Sequence, residues 1–286
     1  MRKETIKIPL PAVQPLSEKG RRLYKTTARL ASNMFLLPNR FKVHGLENKI
    51  EEGPNIIVAN HTGAGKDTAA LYRIYKRMVF FCASHYLFDS KDFDKEIKDN
   101  YMRMLIPNVS LRRLANLLLF PVRRLFTRFS APLIKNIGCI PVFNSKEVLN
   151  SEWARRNREL KNLIKSYLLD NRAVILLQAN LRHASDFNSY VRKFKHGAAK
   201  IALELFREFD GFEVPITPVS IYGAEGLMTI GSTVSLRVGK SMTVKPFLSK
   251  SNPVVALTEA LEKRVAEMVE NDIKKYGQRK QKLQKI

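Results

Sequence analysis

Acidic residues, cysteine and long apolar runs are all scarce in this sequence. Twenty-six aspartates and glutamates stand against 50 lysines and arginines in 286 residues, a formal net charge of +24. A chain so short of acid attracts nucleic acid, anionic lipid headgroups, acidic proteins or an anionic substrate. Two cysteines, Cys82 and Cys139, both in apolar stretches, are too few for a disulfide framework and read as reduced core thiols. The five histidines show no metal-ligand spacing, so no metal is expected. No apolar run approaches the ~18–20 residues that span a bilayer. Met1-Arg2-Lys3-Glu4 leads into no apolar segment of a secretory signal, so none is expected. Zinc-finger spacing and the aromatic–glycine signature of RNA binders are both missing. The positive charge therefore points to a membrane surface and phosphate-bearing ligands, with no nucleic acid expected as a partner.

What is present is a globular pattern. Hydrophobic residues make up 45% of the chain, a proportion ordinary for a soluble domain. Residues 1–15 read as an extended arm and 16–37 as a helix. Short strands are predicted at 41–45, 56–59, 78–83, 137–143, 173–177 and 215–222, with one or two edge strands over 234–247. Helices fall between them, at 67–77, 145–169, 197–206 and 252–276. Such alternation implies an α/β fold: a mixed, mostly parallel sheet flanked by helices, behind an N-terminal helical segment. The domain organisation is then 1–40 as arm and helical segment, 41–276 as the α/β domain, and 277–286 as a basic, frayed tail. Residues 101–136 stand apart. Leucines and phenylalanines alternate there with Arg103, Arg112, Arg113, Arg123, Arg124 and Arg128 and with no acid at all. Pro107, Pro121 and Pro132 are expected to break the stretch into short pieces. It fits an interfacial amphipathic surface, and equally a core helix pair with a basic outer face.

The chemistry gathers at Asn60-His61-Thr62-Gly63-Ala64-Gly65-Lys66-Asp67, directly after the apolar run Ile56-Ile57-Val58-Ala59. A buried strand fixes an imidazole, and a carboxylate a few residues on sets its tautomer. The other ring nitrogen can then take a proton from a substrate hydroxyl. The stretch also imitates a phosphate-binding loop. That loop needs an earlier glycine where Asn60 stands and a serine or threonine directly after the lysine, where Asp67 stands, so nucleotide hydrolysis is disfavoured.

Four ordered blocks resemble the glycerophospholipid acyltransferase family, in particular its 1-acylglycerol-3-phosphate acyltransferase type. They are Phe41–Asn48 leading to Ile57–His61; Ile137-Gly138-Cys139-Ile140-Pro141-Val142; Arg182 with Phe194-Lys195-His196-Gly197-Ala198-Ala199; and Val214–Ser220. The resemblance implies transfer of a fatty acyl group from a thioester, acyl-coenzyme A or an acyl carrier protein, to a hydroxyl of a lysophospholipid or glycerol-phosphate-like acceptor. No other cofactor is implied. His61 would be the general base, Asp67 its partner, and Arg182 and Lys195 would hold the acceptor phosphate. Asn60, Lys66, His85 and Lys146 are further candidates for substrate contact. Five residues separate His61 from Asp67, where the family motif has four. The third block reads Gln178-Ala179-Asn180-Leu181-Arg182 in place of proline-glutamate-glycine-threonine-arginine, and Asn144 replaces an arginine after the second. Two alternatives follow from these departures: a catalytically impaired relative that binds lipid or membrane, or an acyltransferase for a non-phosphate acceptor. The expected place of action is the cytoplasmic side of a membrane, peripherally or monotopically bound, on an anionic membrane surface.

Overall fold

A computed structural model of the chain describes residues 18–37, 39–61, 66–106, 108–136, 139–142, 150–178, 191–224 and 231–283. In chain order the elements begin with α1 (Glu18–Leu36), β1 (Arg40–His44), β2 (Asn55–Asn60), α2 (Lys66–Ile74) and β3 (Val79–Ser84). Next come α3 (Ser90–Glu96), α4 (Met102–Leu105), α5 (Val109–Leu118), α6 (Phe120–Asn136), β4 (Ile140–Val142) and α7 (Asn150–Leu169). The chain closes with β5 (Ala173–Gln178), α8 (Gly197–Glu208), β6 (Ile216–Tyr222), β7 (Thr233–Val238) and α9 (Pro253–Leu283). The described residues form two compact units, one within 18–24 and 81–163, the other within 25–80 and 164–283.

The larger unit holds an α/β sheet in the order β1-β7-β6-β2-β5. β1 runs parallel to β7, and β2 parallel to both β6 and β5, while β6 and β7 are antiparallel. β2 is enclosed on both edges and all six of its residues are buried. That is the environment a continuous run such as Ile56-Ile57-Val58-Ala59 requires, because a strand covered on both faces has no polar side. α2 lays Ala69, Ala70, Leu71 and Ile74 into the core, and α8 lays Ala198, Ala199, Ile201, Ala202 and Leu205. α9 packs against β6 and α8, burying Leu257, Leu261, Val265 and Val269 at one-turn intervals. Gly223 ends β6 with φ +77°, and a Cβ there would lie 2.0 Å from the Thr233 carbonyl oxygen. The antiparallel return into β7 therefore accepts no side chain at that point.

Two expectations are corrected here. The strand over 234–247 is not at an edge: β7 lies between β1 and β6. The closing helix does not stop near Tyr276 but runs to Leu283. Gly277 alone does not end it, since the glutamines, lysines and arginine that follow are good helix formers.

In the smaller unit β3 pairs in parallel with the short β4. α3 leads through a π-helical turn, Ile97–Tyr101, into α4. α3 packs on α6, with Phe93 and Phe126 in ring contact. Arg123 fastens the arrangement. Its Nε and Nη2 reach the two carboxylate oxygens of Asp94 at 2.6 and 3.2 Å, and its Nη1 donates to Asn116 Oδ1 at 2.9 Å. The prolines divide this region only in part as expected, since α5 gives way to α6 beside Pro121. Pro121 sits in the first turn of α6, where its missing N–H is no loss, and Pro132 lies inside the helix without ending it. Pro107 lies outside the described residues.

Candidate active site

The site is built from the carboxyl end of β2, where ligands collect in open α/β sheets. Asn60, the last strand residue, is buried. Its Nδ2 donates to the Ile221 carbonyl at 2.8 Å, and its Oδ1 accepts the Ile221 N–H at 2.8 Å. The backbone ladder between β2 and β6 ends at Ala59 opposite Val219. The Asn60 amide thus adds one more rung, made by a side chain. This residue was expected to touch substrate; its amide instead holds the strand end from which His61 projects.

His61 follows directly. Its Nδ1 lies 2.7 Å from Asp67 Oδ2, with the imidazole 20% exposed and the aspartate fully buried. Asp67 is the second residue of α2, so the positive end of the helix dipole favours its charge. A buried carboxylate against Nδ1 makes that nitrogen the N–H donor. Nε2 is left with its lone pair, able to accept a proton, and the carboxylate stabilises the imidazolium that results. The pair meets although five residues separate the two. One extra residue at helical spacing turns a side chain by about 100°, and here Asp67 arrives within the first turn of α2. Residues 62–65 lie outside the described residues.

Lys195 is tied to the same end of the sheet. Gln178, the last residue of β5, stands opposite Asn60 in the register, and its Oε1 accepts the Lys195 N–H at 3.0 Å. Glu262 on α9 accepts the neighbouring Phe194 N–H at 2.6 Å. The phenyl ring is buried while the lysine side chain is exposed. The sequence marks Gln178 only as a departure in the third block, and it gives Glu262 no role. Their partners are backbone N–H groups 17 and 68 residues away. Lys66 is buried beside Asp67. His85 is buried in the smaller unit, with its ring edge-on to Tyr86. Arg182 and Lys146 lie outside the described residues. Among the described residues no three His, Cys, Asp or Glu side chains are grouped to hold a metal ion.

Burial pushes the Cys139 thiol up to about 12, and burial with Cys139 nearby does the same for Cys82. Neither is a nucleophile at neutral pH. The chemistry the site can perform is therefore proton transfer by a histidine–carboxylate pair.

No protein-family model and no curated protein matches this chain. Among solved structures it is similar to the 1-acyl-sn-glycerophosphate (LPA) acyltransferase PlsC from Thermotoga maritima. The TM-score is 0.50 at 16% sequence identity, over 87% of this chain and 78% of that one. At that identity the likeness is one of fold: a mostly parallel sheet flanked by helices.

Proposed function

We propose that this chain is an O-acyltransferase that moves an acyl group from a thioester to the hydroxyl of a lysophospholipid or glycerol-phosphate-like acceptor. The observation that carries the proposal is the 2.7 Å contact between His61 Nδ1 and Asp67 Oδ2 at the end of a fully buried strand. The fold shared with an LPA acyltransferase supports it.

His61 Nε2 takes the acceptor hydroxyl proton as the oxygen attacks the thioester carbonyl. The tetrahedral intermediate collapses, the carbon–sulfur bond breaks, and the leaving thiolate takes the proton back from the imidazolium. The products are an ester and a free thiol, with no covalent intermediate on the protein. Lys195 and Arg182 are assigned the role of holding the acceptor phosphate. The donor is acyl-coenzyme A or an acidic acyl carrier protein, and the excess positive charge of the chain suits both.

The test is thiol release from acyl-coenzyme A with lysophosphatidate, and then with neutral and peptide-like acceptors. His61→Ala is expected to lower kcat by about 10²–10⁴-fold. Asp67→Asn, which can stabilise the wrong tautomer, should reduce it by up to about 10⁴-fold. Turnover unchanged in both variants, or no turnover with any donor and acceptor, overturns the proposal. Turnover confined to acceptors without phosphate keeps the reaction and rejects the acceptor.

A further inference from the structure

α5 and α6 carry an apolar face turned to solvent. On α5, Leu111, Leu114 and Leu118 recur at intervals of three and four residues. On α6, Val122, Leu125, Phe126 and Phe129 do the same, and each of the seven side chains is more than half exposed. At 100° per residue the four on α6 share an arc of about 100°. That arc lies opposite Arg123, Thr127 and Ala131, the positions this helix buries. α5 buries none of its ten residues. A helix so short gains little from propensity alone and is ordinarily held by packing. A contiguous exposed apolar stripe marks an interaction surface.

The helices that carry the face are cationic. Arg113, Arg124 and Arg128 are exposed on the same two helices, Arg128 nearest the stripe at about 60° from Leu125, and residues 101–136 contain no acid. A cavity of about 450 Å³ opens next to α5, lined by Lys98, Asp99, Arg103, Val109, Arg112 and Asn116. Three of its six lining side chains are cations and one is an anion. Its size is within the range of small-molecule sites. The π-helical turn supplies Lys98 and Asp99, and such turns are frequent where side chains serve a ligand.

We propose that this face docks on a bilayer containing anionic phospholipid. The leucines, valine and phenylalanines enter the acyl boundary and Arg128, at the edge of the stripe, meets a headgroup phosphate. The cleft of Lys98, Arg103 and Arg112 seats one phosphate-bearing headgroup. A second copy of the chain is the poorer occupant, because each copy carries +24 and presents the same acid-free pair of helices. The inference deepens the acyl-transfer reading by naming the phase that delivers the acceptor, yet it uses nothing of His61.

The test is co-sedimentation of the full chain with phosphatidylcholine vesicles, with and without about a third phosphatidylglycerol. Binding to the anionic vesicles is expected, falling as salt rises. The exposed substitutions Leu114→Glu and Phe129→Glu should each lower partitioning by about tenfold or more. Arg103→Gln with Arg112→Gln should weaken binding to the anionic vesicles only. An unchanged thermal midpoint shows that each variant is folded. Equal binding to both vesicle types, no binding to either, or wild-type binding by the double variant Leu114→Glu/Phe129→Glu overturns the inference. So does a dimer that these substitutions dissolve while vesicles are ignored. His61→Ala is expected to bind as the wild type does, so a failure of acyl transfer and a failure of docking are read separately.

Discussion

Asn60 shows how much a single side chain decides near His61. Its amide satisfies both backbone groups of Ile221 in a fully buried setting. Asn60→Ala leaves an N–H and a carbonyl unpaired, each costing about 1–3 kcal/mol. Urea denaturation should therefore show a loss of about 2–4 kcal/mol. The neighbouring catalytic proposal was legible in sequence because His61 follows an uninterrupted apolar run and Asp67 opens a helix. The role of Asn60 was not. An asparagine beside a histidine at a strand end reads as a ligand contact, and nothing local reveals that Ile221, 161 residues on, lies opposite. Gln178 and Glu262 were hidden for the same reason. They bond to backbone N–H groups, and a backbone group carries no sequence signature.

At the scale of elements, α6 owes its position to Arg123, which grips Asp94 with two nitrogens and Asn116 with a third. The guanidinium is almost fully buried, at 7% side-chain exposure. Arg123→Ala leaves the aspartate without its partner and is expected to destabilise the smaller unit by about 3–5 kcal/mol, measured by chemical denaturation. Arg123→Lys recovers little of this, because an ammonium cannot make the paired contact. The amphipathic character of α5 and α6 was visible in the alternation of leucine and arginine. The continuation of α6 through Pro132 was not, since a proline at that point reads as a stop. The interior place of β7 was equally hidden. Its alternating residues describe a strand, but only the partner on its far side, β1, decides whether it is an edge.

For the molecule as a whole, the ends of the larger unit are joined through His44. Its Nε2 lies 3.0 Å from the Tyr276 hydroxyl of α9. Burial holds its pKa below the ordinary value, the Arg237 guanidinium, Lys275 and Lys42 push the same way, and Asp272 opposes them. A histidine whose folded pKa is depressed binds its proton more readily when unfolded. Stability is then complete above the unfolded value, about 6.5, and falls as the pH drops through it toward the folded value. His44→Gln should flatten that part of the stability–pH curve, seen as a smaller acid-induced drop in melting temperature than in the wild type. The order of the strands has one further consequence. β1 precedes the other described strands in the chain, but its hydrogen-bonding neighbour is β7, with Arg40 opposite Thr233. Until the ribosome has made β7, β1 waits without that partner. A native contact this distant in sequence slows folding. Arg40 and Lys42, the charged positions of the waiting strand, discourage it meanwhile from annealing to strands of other nascent chains.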